Sequence, residues 1–80
     1  MRTTLTINVG SRKAYHCIAI SAPVKTKNFV ARLNSIVGRY AKDRKPADQF
    51  TTREGKKVVI YYVHESYSWQ GILRTIKRDF

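Results

Sequence analysis

Apolar residues alternate with polar ones and then recur at helical spacing, and this succession occurs twice along the chain. In the first half, Leu5, Ile7 and Val9 alternate with polar residues, a period of two that is typical of a β-strand. Turn-forming residues 10–13 separate this strand from a second predicted strand, residues 14–21. The second strand is apolar on both faces, which indicates an interior position in a sheet.

The first helix is predicted beyond Pro23, where apolar residues recur at spacings of one, three and four. Thr26 is a candidate N-cap, and a start at Pro23 is an alternative. Cations before Pro46 complement the C-terminal end of the helix dipole, and Pro46 itself ends the helix. The apolar positions of this helix are Phe29, Val30, Leu33, Ile36, Val37, Tyr40 and Ala41.

The second half repeats this order of elements. Strands are predicted at residues 49–53 and 56–64, on either side of a turn at residues 54–55. Ser66 or Ser68 caps a last helix. The shared apolar face of that helix comprises Trp69, Ile72, Leu73, Ile76 and Phe80.

The order of elements is therefore ββαββα, with similar halves at residues 1–45 and 46–80. One hairpin with one helix is too small to bury both faces of a sheet, so the 80 residues are expected to form a single domain. We predict an α+β fold in which a four-stranded, mainly antiparallel sheet carries both helices on one face.

The chain carries 16 Lys and Arg against five Asp and Glu, a formal net charge of +11 with a pI near 10.3. Residues 1–42 contain no acid and hold eight of the cations, Arg2 among them. This imbalance favours a polyanionic partner. For each set of basic residues, the alternative interpretation is an ordinary charged surface that faces solvent and binds no partner.

Two sets of cations are candidate phosphate contacts. Lys25, Arg32 and Arg39 are seven residues apart, so a continuous helix would align them on one side, with Lys42 beside them. Four cations at the predicted hairpin tips are auxiliary candidates, although cations at turns and sheet edges also serve solubility. These four are Arg12, Lys13, Lys56 and Lys57.

Aromatic residues at and after the fourth predicted strand are candidates for stacking on bases or for a protein interface. Strand alternation places Tyr61 and Tyr62 on opposite faces, and the pattern does not decide which face the helices cover. Ordinary packing is the alternative for each residue. The candidates are Tyr61, Tyr62, His64 and Tyr67.

These features favour a small, non-enzymatic nucleic-acid-binding protein that contacts the phosphate backbone of DNA or RNA. One alternative is a small basic protein-interaction module or inhibitor that binds an acidic protein surface, as do antagonists of host or defence complexes that phages and mobile elements encode. A third hypothesis is a metal-independent, toxin-like ribonuclease that uses His64, Glu65 and Tyr67 with neighbouring cations.

We expect no cofactor and no metal site, because Cys17 is the only cysteine and the five acids show no ligand spacing. The longest apolar run, residues 58–63, is far shorter than the ~20 residues of a membrane span, so no membrane partner is expected. A cytoplasmic protein is the simplest interpretation, and the sequence leaves homodimerisation open.

Overall fold

The strands and helices follow one another in the predicted ββαββα order over residues 5–79, which are the residues described by the computed structural model. The first half consists of β1 (Thr6–Arg12), β2 (Tyr15–Pro23) and α1 (Phe29–Ile36). The second half consists of β3 (Asp48–Thr51), β4 (Lys56–His64) and α2 (Trp69–Asp79). Arg2 and Phe80, predicted to be a surface cation and an apolar helix residue, lie outside the described residues.

The strands form one antiparallel sheet in the order β1-β2-β4-β3. The interior position predicted for β2 is confirmed, because β2 pairs with β1 on one side and with β4 on the other. Cys17, for example, is paired with Gly10 of β1 and with Tyr62 of β4. This central β2–β4 pairing joins the two halves of the chain into one sheet.

Both helices pack on the same face of the sheet, as predicted, and enclose the hydrophobic core there. Alternation along β4 places Val59, Tyr61 and Val63 on this face, and all three are fully buried. Tyr62 therefore lies on the opposite face, where the strand residues among 5–79 are half-buried or exposed. We call this opposite face the open sheet face. The core also contains Ile18, Ile20, Phe29, Leu33, Val37, Ile72 and Ile76.

The prediction that Tyr61 is a candidate for stacking on bases is wrong. Its side chain is fully buried, so a base has no access to the ring in the folded protein. The hydroxyl donates a hydrogen bond to Asn34 Oδ1 at 2.5 Å, which satisfies the polar end of an otherwise apolar environment. Burial raises the pKa of Tyr61 to about 12, because desolvation disfavours the charged phenolate.

Helix α1 is shorter than the periodicity predicts, and Asn28 occupies its N-cap instead of Thr26 or Pro23. Residues 37–40 continue the chain as turns, in which Gly38 N–H still donates to the Asn34 carbonyl at 3.1 Å. The apolar periodicity persists because Val37 and Ala41 remain in the core beyond the end of the helix. A buried stripe at helical spacing thus extends further than the helix itself.

The chain after α1 forms a 3-10 turn, Lys42–Arg44, instead of the predicted helix end. Of the cations predicted to form a row on one helix, only Arg32 lies on α1. The prediction that they share a single helix is therefore wrong. Lys25 precedes the helix, and Arg39 and Lys42 follow it in turns. The prediction was wrong because seven-residue spacing aligns side chains only where a helix is continuous.

Candidate functional site

Cations and tyrosines meet at the end of the open sheet face where β2 begins and β4 ends. A concavity of about 470 Å³ lies there, lined by Arg12, Lys13, Ala14, Tyr15, Lys42 and Tyr62. A neighbouring concavity of about 250 Å³ shares two of these residues and is lined by Lys42, Asp43, Lys45, Pro46, Ala47 and Tyr62. We call the cations and tyrosines of both concavities the sheet-end cluster: Arg12, Lys13, Tyr15, Lys42, Lys45 and Tyr62.

The β1–β2 hairpin supplies one side of the sheet-end cluster. Arg12 and Tyr15 are paired at the end of the hairpin, so the turn between them contains only Lys13 and Ala14. Lys13 has a left-handed backbone with φ of 56°, a conformation that costs a non-glycine residue energy. The Ala14 carbonyl accepts a hydrogen bond from Glu65 N–H at 2.9 Å, which fixes the hairpin tip against the end of β4.

The segment after α1 supplies the other side. Ala41 forms an isolated bridge with Val63 of β4, and this bridge brings the next residue, Lys42, to the end of the sheet. Lys42 Nζ lies 5.4 Å from the centre of the Tyr15 ring, a cation–π distance. The imidazole of His64 meets the same ring edge-on, with 5.4 Å between ring centres. Tyr15 is therefore a support that orients Lys42.

Arg12 and Tyr62 are joined directly, since Arg12 Nη1 donates a hydrogen bond to the Tyr62 hydroxyl at 3.2 Å. The remaining N–H groups of the guanidinium form the kind of planar fork that binds phosphate oxygens. Together the cluster holds four cations against one acid, Asp43, at the rim of the smaller concavity. None of the four cations forms an ion pair with a carboxylate of residues 5–79.

This arrangement suits a ligand that combines negative charge with a flat apolar surface. Unpaired cations attract anions most strongly where no neighbouring carboxylate cancels their field. Aromatic rings beside them offer a stacking surface, and this combination of a positive groove with stacking rings is the one that binds nucleic-acid strands. The sheet-end cluster therefore combines positive charge with partly exposed tyrosine rings.

The other predicted phosphate contacts lie away from the sheet-end cluster. Lys56 and Lys57 lie at the opposite end of the sheet, where Lys56 is paired with Pro23, about 25 Å away along β2. Lys25 is exposed in the loop that follows Pro23. Arg32 is exposed on α1, and its guanidinium donates a hydrogen bond to the backbone carbonyl of Asp79.

Arg39 and Tyr67 are brought together in a groove of about 460 Å³ between α1 and α2. Tyr67 packs edge-on against Tyr40, with 5.2 Å between ring centres, and its side chain is 45% exposed. This groove contains one cation, Arg39, and one acid, Asp79. Its single cation contrasts with the four cations of the sheet-end cluster.

Of the groups considered for a ribonuclease, Tyr67 lines the groove between the helices, whereas His64 and Glu65 line neither that groove nor the two concavities of the sheet-end cluster. His64 Nδ1 accepts a hydrogen bond from the backbone N–H of Ser66 at 3.1 Å and lies 2.8 Å from Ser66 Oγ. Glu65 follows His64 in an exposed turn. Tyr67 lies in the groove between the helices.

Sequence reasoning missed two members of the sheet-end cluster, Tyr15 and Lys45. The alternation of β2 correctly places Tyr15 on the same face as Cys17. The missing information was the pairing of β2 with β4, which sets Cys17 beside Tyr62 and so brings the two tyrosines together. Lys45 belongs to the segment that was interpreted as a helix end.

Within residues 5–79, no three or more His, Cys, Asp and Glu side chains are grouped so that they would hold a metal ion. Neither helix in this part of the chain is long and apolar enough to span a membrane. Comparison of the chain with protein-family models, curated proteins and solved structures finds no match.

Proposed function

We propose that this protein binds nucleic acid without cleaving it, and that the sheet-end cluster is the contact surface. The observation that carries the proposal is the convergence of four cations, none paired with a carboxylate of residues 5–79, on two tyrosine rings. Phosphate contacts supply most of the affinity of such proteins and make it dependent on salt. Aromatic rings add a stacking contribution that depends little on sequence.

A charge-reversal experiment tests this proposal. Lys42→Glu combined with Lys45→Glu changes two cations of the cluster, both exposed. The matched control is Lys25→Glu combined with Lys27→Glu, which makes the same change in net charge at exposed positions beyond the other end of β2. Binding of labelled oligonucleotides is measured by fluorescence anisotropy at about 50 and about 200 mM salt.

Four phosphate contacts predict a slope of log Kobs against log salt of about −3 to −4. The Lys42→Glu, Lys45→Glu variant is expected to lose affinity by more than about tenfold at low salt and to reduce the size of the slope by about 1.5 to 2. The control is expected to lose far less affinity. Equal losses in both variants would show that only net charge matters and would contradict the cluster as the binding surface.

A protein partner is the second candidate function, and the observation that favours it is Phe50. This residue is 45% exposed on the short edge strand β3, where it is paired with Val58. Exposed aromatic residues are frequent anchors of protein interfaces. If the wild-type protein bound neither DNA nor RNA in the titration, this candidate would replace the first.

A further inference from the structure

Gly10 lies in the interior of β1, where neither its own backbone nor its neighbours require a glycine. Its φ is not positive, in contrast to the φ of 79° at Gly55. A Cβ added at Gly10 would meet nothing within 4 Å. Glycine weakens a strand, and inside a strand it often marks a place where a ligand or another backbone approaches closely.

The sheet register sets this open space beside the sheet-end cluster. Gly10 is paired with Cys17, and Cys17 is paired with Tyr62, so the three residues form one row across the open sheet face. Neighbouring strands are about 4.8 Å apart, which puts Gly10 about 10 Å from Tyr62. That span is close to the size of a nucleobase with its sugar.

The two tyrosines of the cluster differ in what surrounds them. The ring of Tyr15 carries Lys42 Nζ at 5.4 Å and meets His64 edge-on. Tyr62 is half-buried, lines both concavities and is hydrogen-bonded at its hydroxyl, at the edge of the ring. Tyr62 is therefore the ring that is better placed to receive a flat ligand.

We propose that an unpaired nucleobase stacks on Tyr62 and extends towards the space above Gly10, so that the ligand is single-stranded nucleic acid. This inference rests on the proposed function and makes it more specific. Bases in a duplex are stacked inside it and present only their edges in the grooves, whereas bases of a single strand are free to stack on aromatic side chains. Arg12 and Lys42 bind the phosphates next to that base.

Gly10→Thr tests the inference, because a threonine side chain occupies the space above the row and is itself favourable in a strand. Asn8→Thr is the matched control, since Asn8 is exposed on the same face of β1 and is paired with Ala19 in the next row. Binding is measured with single-stranded DNA, single-stranded RNA and duplex DNA. Thermal unfolding of each variant reports whether the fold is retained.

Gly10→Thr is expected to weaken binding to the single strands by about tenfold or more and to leave duplex binding unchanged. Asn8→Thr is expected to bind like the wild type. A second pair of variants gives an independent readout if Gly10→Thr does not fold. Tyr62→Phe keeps the ring and is expected to retain binding, whereas Tyr62→Ala is expected to show a loss similar to that of Gly10→Thr.

The outcomes separate this inference from the proposed function. If Gly10→Thr and Tyr62→Ala bind single strands as tightly as the wild type, or lose duplex binding equally, the stacked base is wrong while phosphate binding by the cluster stands. If the wild-type protein binds no nucleic acid, both proposals are wrong. Binding of single-stranded RNA or of single-stranded DNA supports the inference equally, because both strands present unpaired bases next to phosphates.

Discussion

At the residue scale, Tyr61 and Tyr62 are adjacent in the chain and lie on opposite faces of one strand. Tyr61 is fully buried among core residues, and Tyr62 lies at the sheet-end cluster. Alternation along a strand predicts that the two side chains point in opposite directions. It does not predict which side is covered, because that depends on where the helices pack.

Tyr61→Phe is expected to change the stability of the protein in a pH-dependent way. At neutral pH the variant loses the hydrogen bond to Asn34 and about 1 kcal/mol of stability. The folded state keeps the Tyr61 proton up to a pKa of about 12, against 10.0 as the ordinary value. The wild type therefore loses stability relative to the variant as pH rises through this interval, because only its unfolded state ionises there.

Urea unfolding of both proteins, near neutral pH and between pH 10 and 12, measures this difference. The stability that Tyr61 contributes relative to Phe is complete below pH 10 and falls by up to about 2–3 kcal/mol by pH 12. All other side chains are the same in the two proteins, so their effects cancel in the comparison. Parallel stability curves over this interval would contradict the burial of Tyr61.

Strained backbone at two residues accompanies the sheet-end cluster. Lys13 and Asp43 have φ values of 56° and 60°, in the region where a side chain costs about 1 kcal/mol or more. Lys13 lines the larger concavity and Asp43 the smaller one. Strain of this kind is frequent at binding sites. Here the left-handed conformation occurs at a cation, Lys13, at the tip of the β1–β2 hairpin.

At the element scale, the order of strands and helices follows from the sequence, but the end of α1 does not. Phe29, Leu33, Val37 and Ala41 recur every four residues and are all buried, which correctly indicates one apolar face. The helix nevertheless ends at Ile36. Periodicity reports which residues face the core, whereas the end of a helix depends on backbone contacts that the pattern does not encode.

Gly38 and Gly71 provide a test of these backbone contacts. A Cβ at Gly38 would lie 2.5 Å from the Asn34 carbonyl oxygen, whereas the nearest atom to a Cβ at Gly71 is Ser68 Oγ at 4.0 Å. Gly38→Ala is therefore expected to destabilise the protein by about 1–3 kcal/mol. Gly71→Ala, inside α2, is expected to stabilise it by up to about 1 kcal/mol.

Equilibrium unfolding in urea measures both changes. The two substitutions add the same methyl group, so their opposite signs report local geometry alone. A stabilising Gly38→Ala would mean that α1 continues regularly through residue 38, as the sequence predicted, and would contradict the turn at residues 37–40.

The pairing of strands decides where the candidate site forms, and the sequence does not specify it. Both hairpins are predicted from turn-forming residues, at 10–13 and 54–55. The structure has the turns at residues 13–14 and 53–55, so the predicted first turn is wrong in position and residues 10–12 belong to β1. The contact between the halves is the β2–β4 pairing, which joins residues more than 30 positions apart. Since no local signal marks such a pairing, the sequence identified Arg12 and Tyr62 separately and did not predict their hydrogen bond.

At the scale of the whole molecule, the net charge of +11 is not concentrated on one helix. The residues of the predicted row separate to four places: Lys25 beyond the far end of β2, Arg32 on α1, Arg39 in the groove between the helices and Lys42 in the sheet-end cluster. Positive charge alone favours polyanions over most of such a surface. What distinguishes the sheet-end cluster is that four cations accompany its two tyrosine rings, whereas the groove between the helices contains the single cation Arg39.

Chemical-shift mapping tests the central claim most directly, because it reports where an oligonucleotide touches the protein. A single-stranded oligonucleotide is titrated into the isotope-labelled protein, and the backbone amide shifts are followed. We predict that the largest changes occur at residues 10–17, 42–47 and 60–64, on and beside the sheet-end cluster. Changes concentrated at residues 25–39 or along α2, with the cluster unaffected, would contradict the account.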